Sequence, residues 1–146
     1  MKRLSIAVLA LLMSVSVMAQ TEKNDIIGDW YNADKDAIIN IYEENGTYHG
    51  KITWMLHPLD ENGQAKTDPL NPDETLRSRA RLGMVMMYDF EYEGDSEWDE
   101  GEIYDPKSGS TYSGTMTLTS ANQLDLRGYV GIPLFGRTST WSRKTD

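Results

Sequence analysis

Acidic side chains are the densest candidates for chemistry in this chain. Asp89, Glu91, Glu93, Asp95, Glu97, Asp99, Glu100, Glu102 and Asp105 crowd one stretch. Paired carboxylates can hydrolyse a glycosidic bond by general acid–base steps, and a set of hard oxygens can hold calcium. The first needs two acids facing across a cleft, which no spacing can establish. The second needs a loop spacing that is absent, since Asp60-Glu61-Asn62-Gly63 reads only as a turn. Like charges on paired strands repel, so the stretch reads as a solvated face, or as one that draws a cation or loop arginines. His49 and His57 are the two histidines. On one strand they stand roughly 26 Å apart at about 3.3 Å per residue, too far to share a metal. Neither has a nucleophile beside it, and both read as surface histidines. With no cysteine, disulfides and thiolate chemistry are excluded. The expectation is a chain with no catalytic set, no metal and no cofactor.

Recognition is a different matter. Arg137 shares strand parity with Phe135, Ser139 and Trp141. An inward Trp141 therefore implies an inward Arg137, and a buried guanidinium needs an anionic partner. That partner is either an internal acid or a ligand carboxylate or phosphate. Alternation puts Trp54, Met84, Met86, Tyr88, Phe90, Tyr104, Tyr112 and Met116 on an inner face. Such a set either fills a core or lines an apolar pocket with tyrosine hydroxyls for orientation. The expected ligand-binding residues are thus Arg137, Trp54, Tyr88, Tyr104, Tyr112, Met116 and Trp141.

The elements that must position these residues are strands. Alternating runs fall near 26–32, 36–43, 47–56, 82–93, 97–105, 110–119, 123–130 and 135–143, separated by short turns rich in Gly, Asn and Asp. The cleanest run puts Tyr112, Gly114, Met116 and Leu118 inside and Thr111, Ser113, Thr115 and Thr117 outside, the pattern of an antiparallel sheet over a core. In the fifth run Trp98 and Ile103 differ in parity, which predicts a bulge near Glu100-Gly101. Glycines within strands suit a sharply coiled, closing sheet, or the approach of a ligand or large side chain. About eight such strands predict a small up-and-down barrel, with a two-sheet sandwich as the alternative. In the barrel the last strand ends beside the start of the first. Arg143 then stacks on Trp30 as a structural latch.

One segment, 57–81, lacks strand pattern, and loops of that length are commonly functional or mobile. Asn71-Pro72-Asp73-Glu74-Thr75-Leu76-Arg77 predicts a short helix capped by Asn71. The segment is either a lid across the barrel mouth or a structural flap in which Arg77, Arg79 and Arg81 pair surface acids.

The first nineteen residues read as a cleavable leader: Lys2 and Arg3, an apolar run from Leu4 to Val17, and Val17-Met18-Ala19 before the cut. Gln20 becomes the mature N-terminus, residues 20–146 form one domain, and the destination is the periplasm or the exterior. No second apolar run is long enough to span a membrane. The full chain carries a net charge of −9, and loss of Lys2 and Arg3 makes the mature chain more acidic still. Such a charge disfavours nucleic acid and anionic lipid surfaces.

Ordered motifs add a resemblance. They are Gly28-Asp29-Trp30, Asp68-Pro69-Leu70-Asn71-Pro72-Asp73 with Leu76-Arg77-Ser78-Arg79, and Trp98-Asp99-Glu100-Gly101-Glu102-Ile103-Tyr104-Asp105-Pro106. Gly109-Ser110-Thr111-Tyr112 and Arg127-Gly128-Tyr129-Val130-Gly131 follow, with Leu134-Phe135-Gly136-Arg137 and Trp141 closing the series. They resemble the DUF2147 family of exported bacterial proteins, from which the chain departs at Ala80-Arg81. The Gly-x-Trp start with a terminal arginine is similar, less specifically, to the calycin barrels, the lipocalins and fatty-acid-binding proteins. The reading that follows is an exported binding protein for a small apolar or amphipathic molecule, anionic ones included. The alternative is an envelope interaction module with a filled core, acting through the 57–81 loop or the acidic hairpin.

Overall fold

A computed structural model describes residues 20–146; the leader expected at 1–19 lies outside the described residues. Eight antiparallel strands follow one another in chain order and close into a barrel. They are β1 (Gly28–Tyr31), β2 (Ala37–Glu44), β3 (Thr47–Met55), β4 (Val85–Gly94), β5 (Glu97–Asp105), β6 (Ser110–Ser120), β7 (Gln123–Tyr129) and β8 (Arg137–Arg143). The seam is β1 against β8, where Trp30 pairs with Arg143. This up-and-down order gathers the β1–β2, β3–β4, β5–β6 and β7–β8 connections at one end, the mouth. The N-terminal segment and the three remaining turns lie at the other end, the floor.

The floor is packed solid. Trp30, Tyr48, Met87, Phe90, Trp98, Met116 and Leu124 form one buried cluster. Trp30 is wholly buried and its indole N–H donates to the Ile26 carbonyl at 2.9 Å. The Arg143 guanidinium lies 4.3 Å from the Trp30 ring centre. It also donates to the carbonyls of Ala121, Ile27 and Asp25.

Bulges in β3, β4 and β5 set which side chains reach the interior. In β5 both Trp98 and Gly101 face inward, with Glu100 at a φ of 60° between them, where the parity break predicts a bulge. In β4, Met87 and Phe90 both face inward because Asp89 takes a φ of 59° between them. In β3, Ile38 pairs with Trp54 while Ile39 pairs with Ile52, so Thr53 is the extra residue. An extra residue reverses the parity of everything beyond it.

In-strand glycines answer to large side chains. A Cβ on Gly101 would stand 2.4 Å from the Phe90 ring, and one on Gly114 would press on Ile103 and Phe90. These two positions let Phe90 cross the floor.

Candidate functional site

Above the floor, toward the mouth, the barrel interior opens into a cavity of about 460 Å³. That lies within the range of roughly 300–1,000 Å³ typical of small-molecule sites. Its apolar walls come from Ile39, Ile52, Met55, Met86, Ile103 and Trp141. The Trp141 indole N–H donates to Ser139 Oγ at 3.0 Å, which fixes the ring along the wall.

The rim is polar: Lys66, Arg81 and Lys107 stand on it with His57, Asp36 and Asp105 among them. Both acids already have local donors. Asp36 accepts from Asn32 Nδ2 at 2.6 Å and lies 3.8 Å from Lys107 Nζ. Asp105 accepts from the Lys107 amide and the Ser108 hydroxyl. Among the described residues, Lys66 and Arg81 have no acid within ion-pair distance. Arg81 is aimed by its Nε–H, which donates to the Thr67 carbonyl at 2.7 Å. An anion at the mouth would therefore meet two uncommitted positive groups.

Lys66 and Arg81 belong to the long β3–β4 connection, and a buried polar cluster holds that connection. Asp68 is wholly buried. It accepts from Tyr104 Oη at 2.6 Å, Asn71 Nδ2 at 2.8 Å and Arg79 Nε at 3.0 Å. Arg79 also lies over the Tyr104 ring, 5.4 Å from its centre. Burial pushes the Asp68 carboxyl up, but these three donors and the Arg79 charge more than offset it, and the group sits below its ordinary range. Burial together with the neighbouring Asp68 carboxylate pushes the Tyr104 phenol up to about 12. Backbone bonds extend the brace to the rim: the Asp68 amide donates to the Arg77 carbonyl, and the Arg81 amide to the Lys66 carbonyl at 2.9 Å. The connection is a stapled flap on the barrel's outer wall.

Several expected site residues stand elsewhere. Arg137 is exposed at the mouth and forms no ion pair among the described residues, because β8 begins at Arg137 and the barrel wall there does not enclose it. Trp54 is turned outward by the Thr53 bulge, is 39% exposed and meets Tyr31 edge-on at 6.4 Å. Tyr88 lies opposite in parity to the inward Met87, and its hydroxyl donates to the Val85 carbonyl of its own strand. Tyr104 alternates outward from Ile103 and is buried under the flap, not in the cavity. Met116 is in the floor core. Tyr112 keeps inward parity, half-buried, opposite Ile103. Trp141 alone of the expected set lines the cavity.

In the flap, Asn71 is a buried brace and not a helix cap. The one-turn 3-10 helix is Glu74–Leu76 and Asp73 caps it, its side chain accepting from the Thr75 amide. Arg77 Nε donates to the Asn71 carbonyl at 2.8 Å, and Arg79 pairs with the buried Asp68 and not a surface acid. Among the described residues no three metal-capable side chains converge.

Alternation missed Met55, whose inward turn depends on the bulge. It also missed Lys66 and Arg81, which sit in a segment without periodicity. Their only sequence signal is positive charge within a long loop of an acidic chain.

Comparison with known proteins agrees with this architecture. A family model described as "uncharacterized protein conserved in bacteria (DUF2147)" matches residues 28–143. No curated protein matches the chain. Among solved structures the chain is similar to protein HP1028 from the human pathogen Helicobacter pylori, described as belonging to the lipocalin family. The identity is 25%, the TM-score 0.72, and the match covers 82% of this chain and 83% of that one.

Proposed function

The chain belongs to the DUF2147 family, and on that premise we propose that it is an exported barrel holding one small, mostly apolar ligand with an anionic group at the mouth. The observation that carries this reading is the cavity: apolar walls from Ile39, Ile52, Ile103 and Trp141 beneath the uncommitted cations Lys66 and Arg81. Apolar walls provide affinity by releasing water from the ligand's hydrocarbon part. The cations fix its direction, head outward, because a charged group is costly to bury and is best held where water still reaches it. Likeness to a lipocalin-family structure supports the same class of use. The anion site thus moves from Arg137 to the rim.

Native mass spectrometry of protein purified from its own periplasm tests retention of a small molecule and a mature start at Gln20. Competition against an anilinonaphthalene sulfonate dye tests chemistry. Decanoate is expected to displace the dye best, decanol less well, and decyltrimethylammonium least. Lys66→Glu with Arg81→Glu should reverse the order of the two charged competitors. No dye uptake, or a rank order that the double variant leaves unchanged, would defeat the proposal.

A further inference from the structure

Two connections on opposite sides of the barrel mouth meet over the cavity. With eight strands closed in chain order, the β1–β2 and β5–β6 connections are diametrically opposed around the ring. Yet Lys107 Nζ, from the β5–β6 connection, lies 3.8 Å from Asp36 Oδ2, on the β1–β2 connection. Both residues line the cavity, so their side chains cross its opening.

Each end of this contact is held. Asp36 divides its carboxylate: Oδ1 accepts from Asn32 Nδ2 at 2.6 Å, which leaves Oδ2 for Lys107. Its amide donates to Asn32 Oδ1, and its carbonyl accepts from the Leu56 amide. Across the mouth, the Asp105 carboxylate accepts from the Lys107 amide, and the Asp105 carbonyl from the Gly109 amide. Pro106 between them is buried. The long flap backs this turn so closely that a Cβ on Gly109 would stand 2.1 Å from the Leu70 carbonyl. The contact itself is weaker than its supports. Lys107 is 68% exposed and Asp36 36%, so water competes for both charges. A weak contact between fixed backbones opens without disturbing the fold.

We propose that Lys107 and Asp36 form a strap across the mouth that a ligand parts on entry, and that Lys107 selects for anions by exchanging the Asp36 carboxylate for the ligand's own charge. This rests on the ligand reading above. An anion gives Lys107 a like replacement, so the cation stays paired throughout. A neutral ligand leaves both charges to water alone. A cation gains less, because Asp36 is already bonded to Asn32, and Lys66 and Arg81 stand on the same rim. Once Lys107 turns to the ligand, three cations face the anionic group in place of two.

Stopped-flow uptake of two dyes tests this, neutral N-phenylnaphthylamine and anionic anilinonaphthalene sulfonate. Asp36→Asn and Lys107→Met both cut the strap. Each should speed uptake of the neutral dye about two- to fivefold, the range within reach of an exposed ion pair. Salt should speed the wild type likewise and leave both variants unmoved. With the anionic dye the variants should diverge: Asp36→Asn holds it more tightly than the wild type, and Lys107→Met less. Melting temperatures should match the wild type. A second arm needs no ligand. The chain has no cysteine, so Asp36→Cys with Lys107→Cys supplies its only two thiols. A short bis-maleimide should join them within one molecule, and the joined protein should take up both dyes more slowly than the unjoined one. Equal neutral-dye rates in the wild type and both variants overturn the strap and leave the ligand reading intact. An anionic dye held equally by the two variants overturns the exchange. Thiols that never join within one molecule overturn the strap whatever the dyes do. If they join and no protein takes up either dye, the ligand reading fails and the strap's role fails with it.

Discussion

Tyr104 donates its phenolic hydrogen to the Asp68 carboxylate at 2.6 Å, joining two residues 36 positions apart across the outer wall of β5. This bond ties the long flap to the barrel, and the flap carries Lys66 and Arg81 to the mouth. A contact outside the cavity therefore decides the electrostatics at its rim. Tyr104→Phe leaves one lone pair of a buried carboxylate unmet. It should cost about 1–3 kcal/mol in urea unfolding, and blunt the preference for anionic competitors.

The same pair sets a pH dependence. Tyr104 is raised from 10.0 to about 12, so the fold favours the neutral phenol. Its contribution is complete below pH 10 and is lost as pH rises toward 12, because the unfolded chain releases that proton first. Asp68 is lowered from 3.8, so its contribution is present above that value and is lost as pH falls below it. Denaturation midpoints against pH should fall at both extremes, and the alkaline fall should flatten in Tyr104→Phe.

Arg143 covers Trp30 and donates to three carbonyls, those of Ala121, Ile27 and Asp25. Arg143→Ala should destabilise by about 2–4 kcal/mol, since it removes a cation–π contact and charge-assisted hydrogen bonds together. Arg143→Lys should recover little, because an ammonium cannot reproduce the planar fork. Urea titration followed by tryptophan emission checks both.

Gly101→Ala places a methyl 2.4 Å from the Phe90 ring. Overpacking of this kind costs about 1–3 kcal/mol. Combining it with Phe90→Leu should restore part of the loss, giving a non-additive pair in a double-mutant cycle.

Two tryptophans separate wall from exterior. Trp141→Ala, in the cavity wall, should weaken dye binding about tenfold, roughly 1.4 kcal/mol. Trp54→Ala, outside the barrel, should leave it unchanged. Fluorescence titration of the two variants checks this, and equal effects would contradict the assigned faces.

Period-two alternation and turn residues were enough to specify about eight antiparallel strands, and the matched ends Trp30 and Arg143 pointed to a barrel over a sandwich, a choice that the β1–β8 seam decides. Those signals are local: each strand must present an apolar face, and each short turn forces an antiparallel neighbour. The parity break between Trp98 and Ile103 even located the β5 bulge. Three-dimensional packing alone decided which side chains face the cavity. Asp89 and Thr53 leave no break in the alternation that marks them as bulges, yet each shifts register by one residue and turns its neighbours to the opposite side. That is why Tyr88 and Trp54 leave the interior while Met87 and Met55 enter it. Residues far apart in the chain made the site, as Asp68 and Tyr104 show: no spacing rule joins a loop carboxylate to a strand phenol. Without that bond, Lys66 and Arg81 are two charges in an unpatterned loop; with it, they stand at the mouth of a barrel.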